Sequence, residues 1–253
     1  GVRQAGTSLL YVAQQSGCFR AEGLALDVRS FDLGRDALPA LRAGTADVAI
    51  AYETPLLRAA FEDDRLRVLT ALHTSTRNTR LVSRADRAVR SFSDLAGRRI
   101  GVARGTNAEF FADLVLRFGG VPRSMVTIVD LEPEGSVVAL ARGIVDAAVL
   151  SDPPAADAER TLGADARVLR TELYAEVSLL VTRADVLASR ERELRALLRG
   201  LACGERRIRD HPEATVEALR ARFPDLDDAA LRDQLAHVTL GLGLDNVVLH
   251  VLR

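Results

Sequence analysis

Lysine is absent from this sequence of 253 residues, so all 34 of its basic side chains are arginines. Enzymes that hold pyridoxal phosphate as a Schiff base need a lysine amine, and that class of enzyme is therefore excluded. Tryptophan is also absent, and aromatic residues make up only 4% of the chain. This composition disfavours an aromatic cage for a flat or quaternary ammonium ligand.

Cysteine and histidine are scarce. The two cysteines, Cys18 and Cys203, lie far apart, and neither has a second cysteine or a metal-ligand spacing nearby. They could be two buried apolar side chains or one disulfide, and their isolation favours the first reading. The histidines are equally scattered, at His73, His211, His237 and His250. We therefore expect neither a metal site nor a cofactor.

Long apolar runs and a dominant charge are missing as well. No stretch approaches eighteen apolar residues, so the sequence predicts no membrane-spanning helix. The formal net charge is −1 with both signs interspersed, so we expect no nucleic-acid partner. The opening "GVRQAGTS" lacks the pattern of a secretion signal, and we interpret this as a mature or trimmed chain rather than a cytosolic one.

Strand and helix patterns alternate along most of the chain. Strands are predicted near Gly1–Val2, over 24–31 and over 46–52, and helices over 8–17 and 35–44. The same alternation starts again after "SFSDLAG". From Asp185 onward the apolar spacing predicts helices alone, the last running over 227–243. Such alternation is typical of α/β folds with parallel sheets.

The chain also repeats itself at a fixed distance. "RLVSRAD" (80–86) and "LLVTRAD" (179–185) lie 99 positions apart, and "ALRAGTADVAIAYETP" aligns at the same offset with "ALARGIVDAAVLSDPP". We interpret this as two copies of one α/β unit. The repeat predicts one lobe from residues 1–83 plus 181–253, a second from 84–180, and hinge strands near 80–84 and 178–183. Ligands of such sheets bind beyond the carboxyl ends of the strands, which places the predicted site in a cleft between the lobes.

Four segments resemble one known family: "YVAQQSGCFRAEGLALDV", "ALRAGTADVAIA", "SFSDLAGRRIGVARGTNAEFF" and "ALARGIVDAAVLSDPPA". They are similar to the substrate-binding proteins of nitrate, sulfonate and taurine ABC importers, within a superfamily that includes pyrimidine-precursor binders. The resemblance implies an α/β, two-lobed periplasmic-binding-protein fold (type II), with the C-terminal helices packed on the first lobe. Cys18 departs from the aromatic or aliphatic residue usual there. The missing lysine sets aside the thiamine-pyrimidine synthase branch, as far as that branch depends on pyridoxal phosphate.

A candidate anion site follows the strand in "IGVARGTNAEFF". The loop and helix start carry Arg104, Gly105, Thr106 and Asn107. Unpaired backbone N–H groups at a helix start, with hydroxyl and amide side chains beside them, favour an anionic group, and an arginine adds a charge-assisted contact. Helix capping by Thr106 or Asn107 is the alternative interpretation, and it is compatible with binding.

Two loops of the first copy repeat this pattern. The first carries Gln4, Thr7 and Ser8, and Ser8 could serve only as a helix cap. The second carries Gly34, which allows close backbone approach, and Arg35, whose side chain could equally be solvated.

A symmetric pair of carboxylates follows two buried strands. Glu53 comes after Tyr52, Asp152 comes after Ser151, and the 99-residue offset relates the two acids. They could stabilise the following helices, or they could bind a cationic group or hydroxyls of a zwitterion such as taurine. Two further candidate ligand residues are His73, in a polar loop, and Tyr174, which could stack on a ligand or brace the hinge.

The leading functional hypothesis is an extracytoplasmic solute-binding protein that passes a small polar anion or zwitterion to an ABC permease. We expect a monomer in the periplasm or outside the cell, with a lipid anchor left open, and no catalytic residue. A second hypothesis is the sensor domain of a membrane signalling protein. A third is an enzyme of menaquinone synthesis on the same fold, for which His73 and Glu53 are the nearest acid–base candidates.

Overall fold

The computed structural model describes residues 7–224 and 226–244, and its contacts divide the chain into two compact units. The first unit holds the described residues up to Ser75 and those from Glu176 onward. The second unit is Thr76–Ala175. None of the described helices combines the length and the apolar character needed to cross a bilayer.

The first unit surrounds one four-stranded sheet. Its strands are β1 (Val48–Tyr52), β2 (Leu66–Ser75), β8 (Glu176–Arg183) and β9 (Thr239–Gly243), in the order β1-β8-β2-β9. Its helices are α1 (Ser8–Gln15), α2 (Cys18–Ala21), α3 (Gly34–Arg42), α4 (Glu53–Ala60), α8 (Ala184–Ser189), α9 (Glu191–Asp210), α10 (Pro212–Arg220) and α11 (Asp228–Ala236). Helices α1, α2 and α9 pack on one face of the sheet, and α3 and α4 pack on the other.

The second unit surrounds a five-stranded sheet. Its strands are β3 (Arg80–Arg84), β4 (Arg99–Val102), β5 (Thr127–Asp130), β6 (Ala147–Leu150) and β7 (Ala166–Leu169), in the order β5-β4-β6-β3-β7. Its helices are α5 (Asn107–Phe118), α6 (Pro133–Ala141) and α7 (Pro154–Leu162). The Phe111 side chain of α5 is fully buried in this core, and burial of such a side chain contributes about 1.5–3 kcal/mol to stability.

The two units repeat each other in their elements and in their strand register. Helices α1 and α5 begin 99 residues apart (107 − 8), and α3 and α6 are offset by 99 at both ends. In the antiparallel ladders, Ala51 pairs with Leu179 and Leu150 pairs with Arg80, which are the same positions of the repeat. The sequence repeat is therefore a structural repeat.

The unit boundaries lie earlier in the chain than predicted. The first crossing follows residue 75 rather than 83, and the return follows residue 175 rather than 180. The predicted hinge strands, β3 and β8, each pair with two neighbours inside a sheet, which anchors them within the units. Ser75 and Glu176, at the two crossings, pair with each other in the first unit's sheet.

Three other expectations differ from the structure or lie outside it. Residues 24–31 do not join a described strand ladder, although their pattern predicts a strand. The predicted last helix ends at Ala236, and Thr239–Gly243 then pairs with β2 as β9, because Leu240 and Leu242 can alternate with small residues. The strand predicted near Gly1–Val2 lies outside the described residues.

The expectation that the cysteines are unpaired is wrong. Cys18, at the start of α2, forms a disulfide with Cys203 of α9, and the Cα atoms are 5.9 Å apart. Helices α2 and α9 pack against each other, and that packing brings together two residues separated by 185 positions. Because the two cysteines are so far apart in the sequence, nothing in the sequence indicated that they are close in the fold.

We expect the double variant Cys18→Ala, Cys203→Ala to have a free energy of unfolding about 2–5 kcal/mol lower than that of the parent. The disulfide closes a long loop, and this loop restricts the conformations of the unfolded parent chain. Urea unfolding with and without reductant measures the difference. Reductant should lower the stability of the parent and leave the variant unchanged. A parent whose unfolding does not respond to reductant would contradict the disulfide.

Candidate functional site

The start of α5 in the second unit is a capped helix N-terminus. The Thr106 hydroxyl accepts a hydrogen bond from the Ala108 N–H at 3.2 Å and donates one to the Ala103 carbonyl at 2.7 Å. Thr106 therefore holds the loop against the helix while Asn107 occupies the first helical position. Capping, the alternative interpretation of Thr106, is its observed role, and it leaves the positive end of the helix dipole at this site.

The two residues before this cap are held by carboxylates. Gly105 has a φ of +74°, a left-handed conformation that suits glycine, and its N–H donates to Glu109 at 2.8 Å. The Arg104 N–H donates to Asp130 at 3.1 Å, and the residue is exposed. The loop conformation is therefore fixed from within the second unit.

Three polar side chains form a hydrogen-bonded chain beside the cap. The Asn107 amide donates to the Thr79 hydroxyl at 3.1 Å, and that hydroxyl lies 2.6 Å from the Ser151 hydroxyl. Asn107 and Thr79 are buried, and Ser151 is partly exposed. Amide and hydroxyl groups at a helix N-terminus are the donors that bind oxyanions in proteins. The cluster of Thr79, Thr106, Asn107 and Ser151 is hereafter the α5 cluster.

Asp152 lies beside the α5 cluster but is engaged with an arginine. The Arg80 guanidinium donates to Asp152 at 2.7 Å and to Glu159 at 2.5 Å, and both Arg80 and Asp152 are 1% exposed. Burial lowers the pKa of Arg80, but the hydrogen bonds and charges of the two carboxylates outweigh it, so its pKa lies above its ordinary value. Because this arginine balances its charge, Asp152 is poorly suited to attract a cationic ligand group.

Tyr174 belongs to the core of the second unit. It is 6% exposed, and its ring centroid lies 5.5 Å from that of Phe110 and 5.9 Å from that of Phe111. Its ring therefore packs in this core next to the return crossing, and the prediction that Tyr174 stacks on a ligand stays a prediction.

In the first unit, three candidate residues gather at the end of β1. Tyr52 and His73 both pair with Ser178 of the intervening strand β8, and the rings of Tyr52 and His73 meet edge to face at 5.6 Å. Glu53 begins α4, is 3% exposed, and accepts hydrogen bonds from the Val177 N–H at 2.8 Å and the Thr54 hydroxyl at 3.0 Å.

The start of α1 is the counterpart of the start of α5. Thr7 and Ser8 are buried there, and the Ser8 hydroxyl is fully enclosed without a hydrogen-bond partner among the described residues. A buried hydroxyl without a hydrogen-bond partner lowers the stability of a protein by about 1–3 kcal/mol, so a hydrogen bond to it is strongly favoured. Gln4, the third candidate in this loop, lies outside the described residues.

Gly34 and Arg35 occupy different environments at the start of α3. A Cβ atom on Gly34 would lie 3.3 Å from the Ala51 Cα, so glycine permits close contact between α3 and β1. The Arg35 guanidinium lies 3.6 Å from Asp36 and is 27% exposed. Gly34 thus has a packing role at the end of β1, close to Tyr52.

Sequence reasoning missed Asn78, Thr79 and Arg80. They link the strand β3 to the loop after β6: Thr79 contacts Ser151, Arg80 binds Asp152, and the Asn78 amide oxygen accepts the Asp152 N–H at 3.3 Å. The signal was available in the repeat, where Arg80 stands at the position of the apolar Leu179. An arginine in place of a core leucine indicates a buried acidic partner. The predicted cleft between the lobes stays a prediction.

The chain is similar in sequence to a known protein family and to individual known proteins. A family model described as NMT1/THI5 like matches residues 4–215. A Brucella abortus (strain 2308) protein, provisionally described as a binding protein, is 24% identical over 233 residues, which cover 90% of this chain and 71% of that protein. The taurine-binding periplasmic protein of Escherichia coli (strain K12) is 28% identical over 159 residues, which cover 62% of this chain and about half (48%) of that protein.

Three solved structures share the fold. The alkanesulfonate-binding protein SsuA from Xanthomonas axonopodis pv. citri, bound to MOPS, superposes with a TM-score of 0.83 at 22% identity, covering 98% of this chain and 87% of that chain. The aliphatic sulphonate binding protein SsuA from Escherichia coli gives 0.84 at 18%, with the same coverage. A mutant of DszB with biphenyl-2-sulfinic acid gives 0.71 at 21%, covering 99% and 87%. These likenesses confirm the predicted periplasmic-binding-protein fold.

We expect Asp152→Ala to destabilise the protein by about 3–5 kcal/mol, because it leaves the Arg80 charge buried beside a single carboxylate. Asp157→Ala on α7 is the matched control. It removes the exposed ion pair with Arg160 and should cost less than about 1 kcal/mol. Urea unfolding compares the two variants. Equal losses would show that the Arg80–Asp152 pair does not stabilise the fold.

Proposed function

We propose that this chain, which belongs to the NMT1/THI5 like family, is a solute-binding protein that captures a small organic sulfonate for an ABC importer. Its matched relatives include binding proteins for taurine and for alkanesulfonates, and those names support the ligand class. The proposal needs no covalent step, because the free energy of ligand binding is enough to shift a conformational equilibrium. The partner is then a membrane permease.

The observation that carries the proposal is the α5 cluster. A sulfonate is an oxyanion that accepts hydrogen bonds, and the cluster places the Asn107 amide and the hydrogen-bonded pair of Thr79 and Ser151 hydroxyls beside a helix N-terminus. A fixed array of donors loses little conformational entropy when the ligand binds.

The charges favour an anion over a zwitterion. Arg80 already balances Asp152 in the second unit, so one of the two carboxylates predicted to attract an ammonium group is committed elsewhere. Glu53 remains as a candidate for an ammonium contact, although its oxygens already accept from Val177 and Thr54. We therefore place simple alkanesulfonates ahead of taurine.

The disulfide supports a location outside the reducing cytosol. Structural disulfides persist in the periplasm and other oxidising compartments and are rare in cytosolic proteins of mesophiles. Cys18–Cys203 is buried at the Cys18 end within the first unit's core. We therefore place the protein in the periplasm or outside the cell.

An enzymatic role is the second candidate, because the desulfurization enzyme DszB shares the fold with a TM-score of 0.72 at 20% identity. The two cysteines of this chain are bonded to each other, which leaves no thiolate for nucleophilic chemistry. The His73 ring packs against Tyr52 and is 1% exposed, an environment that suits packing better than proton transfer to a solute. These two observations favour a binding function over an enzymatic one.

We expect ethanesulfonate to stabilise the protein in thermal unfolding, by about 2.7 kcal/mol at a concentration one hundred times its Kd. Asn107→Ala should weaken this binding by about 10- to 150-fold, because it removes a hydrogen bond to a charged group. Thr127→Val, at an exposed position of β5, is the control and should bind as the parent does. Binding that is unaffected by Asn107→Ala would rule out the α5 cluster as the sulfonate site.

Taurine and ethanesulfonate together test the role of Glu53. If Glu53 contacts an ammonium group, Glu53→Gln lowers the affinity for taurine alone, since ethanesulfonate has no ammonium. We expect both ligands to bind the variant within about three-fold of the parent, because each Glu53 oxygen already has a protein partner. Calorimetric titration of both ligands measures this. A selective loss of taurine binding would restore the zwitterion hypothesis.

A further inference from the structure

One exposed aromatic side chain lies near the start of α5, the helix whose N-terminus carries the α5 cluster. Phe110 is the fourth residue of α5 and is 48% exposed, whereas Phe111 beside it is fully buried. The Phe110 ring packs on one side against Tyr174, with the ring centroids 5.5 Å apart. Contact with the core of the second unit thus holds the ring in place and leaves much of the side chain open to solvent.

The sequence at the helix start explains why the Phe110 ring is uncovered. Thr106 is the N-cap, so Phe110 is the fourth helical residue, where an apolar side chain often packs against an apolar residue just before the cap. The residue before this cap is Gly105, which has no side chain. A side chain is disfavoured there, because the φ of Gly105 is +74°. The loop that forms the cap therefore also leaves the ring exposed.

The Phe110 side chain lies on the same side of α5 as Asn107, the amide donor of the α5 cluster. Residues three positions apart are neighbours on a helix surface, with Cβ atoms about 5–6 Å apart. Long helical side chains also lean toward the N-terminus, so the Phe110 ring covers the turn that begins at Asn107. The ring is therefore within reach of a small molecule whose charged end binds at the α5 cluster.

We propose that Phe110 is a specificity-determining residue, whose exposed ring binds the hydrocarbon part of a sulfonate while the α5 cluster binds its oxygens. This role rests on the proposed function and narrows its ligand class. The favoured ligands are sulfonates with an alkyl chain of several carbons or with an aromatic ring. The shortest sulfonates bind through their oxygens alone.

The chemistry of the ligand class supports this role. A sulfonate joins an oxyanion directly to a hydrocarbon group, and α5 places the Asn107 amide beside the apolar ring of Phe110. Contact between the hydrocarbon group and the ring removes apolar surface of both from water, which favours binding. Taurine gains less from this contact, because its short carbon chain ends in a charged ammonium group.

Calorimetric titration with methanesulfonate, propanesulfonate and hexanesulfonate tests this role. The three ligands present the same oxyanion and differ only in the length of the alkyl chain. We expect the affinity of the parent to rise about 2- to 4-fold for each added methylene that reaches the ring, because each one buries apolar surface. Phe110→Ala should bind methanesulfonate within about two-fold of the parent and hexanesulfonate at least about ten-fold more weakly than the parent.

Phe118→Ala is the matched control. Phe118 is the last residue of α5, is 52% exposed, and lies about 12 Å further along the helix axis than Phe110. This variant should bind all three ligands as the parent does. Phe110→Leu keeps an apolar side chain and should restore much of the dependence on chain length. Methanesulfonate binding also reports folding, because a misfolded variant loses it together with the longer ligands.

The outcomes separate this role from the proposed function. The same dependence on chain length in the parent and in Phe110→Ala would overturn the role of Phe110 and leave sulfonate binding intact. No binding of any of the three ligands to the parent would overturn the proposed function and this role with it. Sedimentation of the ligand-free proteins is the last check. A parent dimer that Phe110→Ala abolishes would assign the ring to contact with a second copy of the chain instead.

Discussion

One antiparallel pairing between two buried strands fixes the strand register of each unit. In the first unit β8 pairs with β1, in the second β3 pairs with β6, and the paired positions are equivalent in the repeat. A shift by one residue would move every side chain of such a strand to the opposite face of the sheet, where it would not fit the residues packed there, so the apolar cores hold the register firmly. The same register sets Ser178 beside Tyr52 and Thr79 beside Ser151, so the polar groups lie at the same end of both ladders.

The repeat made much of the fold predictable, because helix and strand periodicity survives in both copies. The failures have local causes. Residues 24–31 have a strand pattern, but a strand needs partners that the local sequence does not specify. Likewise, Cys18 and Cys203 meet only because α2 packs on α9, a contact between distant parts of the chain. Predictions from residue spacing use only residues that are close in the sequence. They carry no information about contacts between distant parts of the chain.

For the candidate site, the sequence predicted the helix start at Thr106 and Asn107 but treated Glu53 and Asp152 as equivalent. Their surroundings differ because Arg80 stands in one copy where Leu179 stands in the other. A duplicated fold keeps the backbone positions of both copies alike. A single substitution in one copy can still change which charged side chains pair with each other. The two units therefore have similar scaffolds with different charges at equivalent positions of the repeat.

The disulfide has a topological consequence. The first unit is assembled from the two outer parts of the chain, with the whole second unit inserted between them, and Cys18–Cys203 joins one outer part to the other. The crosslink turns the chain into a ring that closes outside the inserted unit. A protease that nicks an exposed loop of that insertion once would therefore release no fragment, since the severed halves remain covalently tethered.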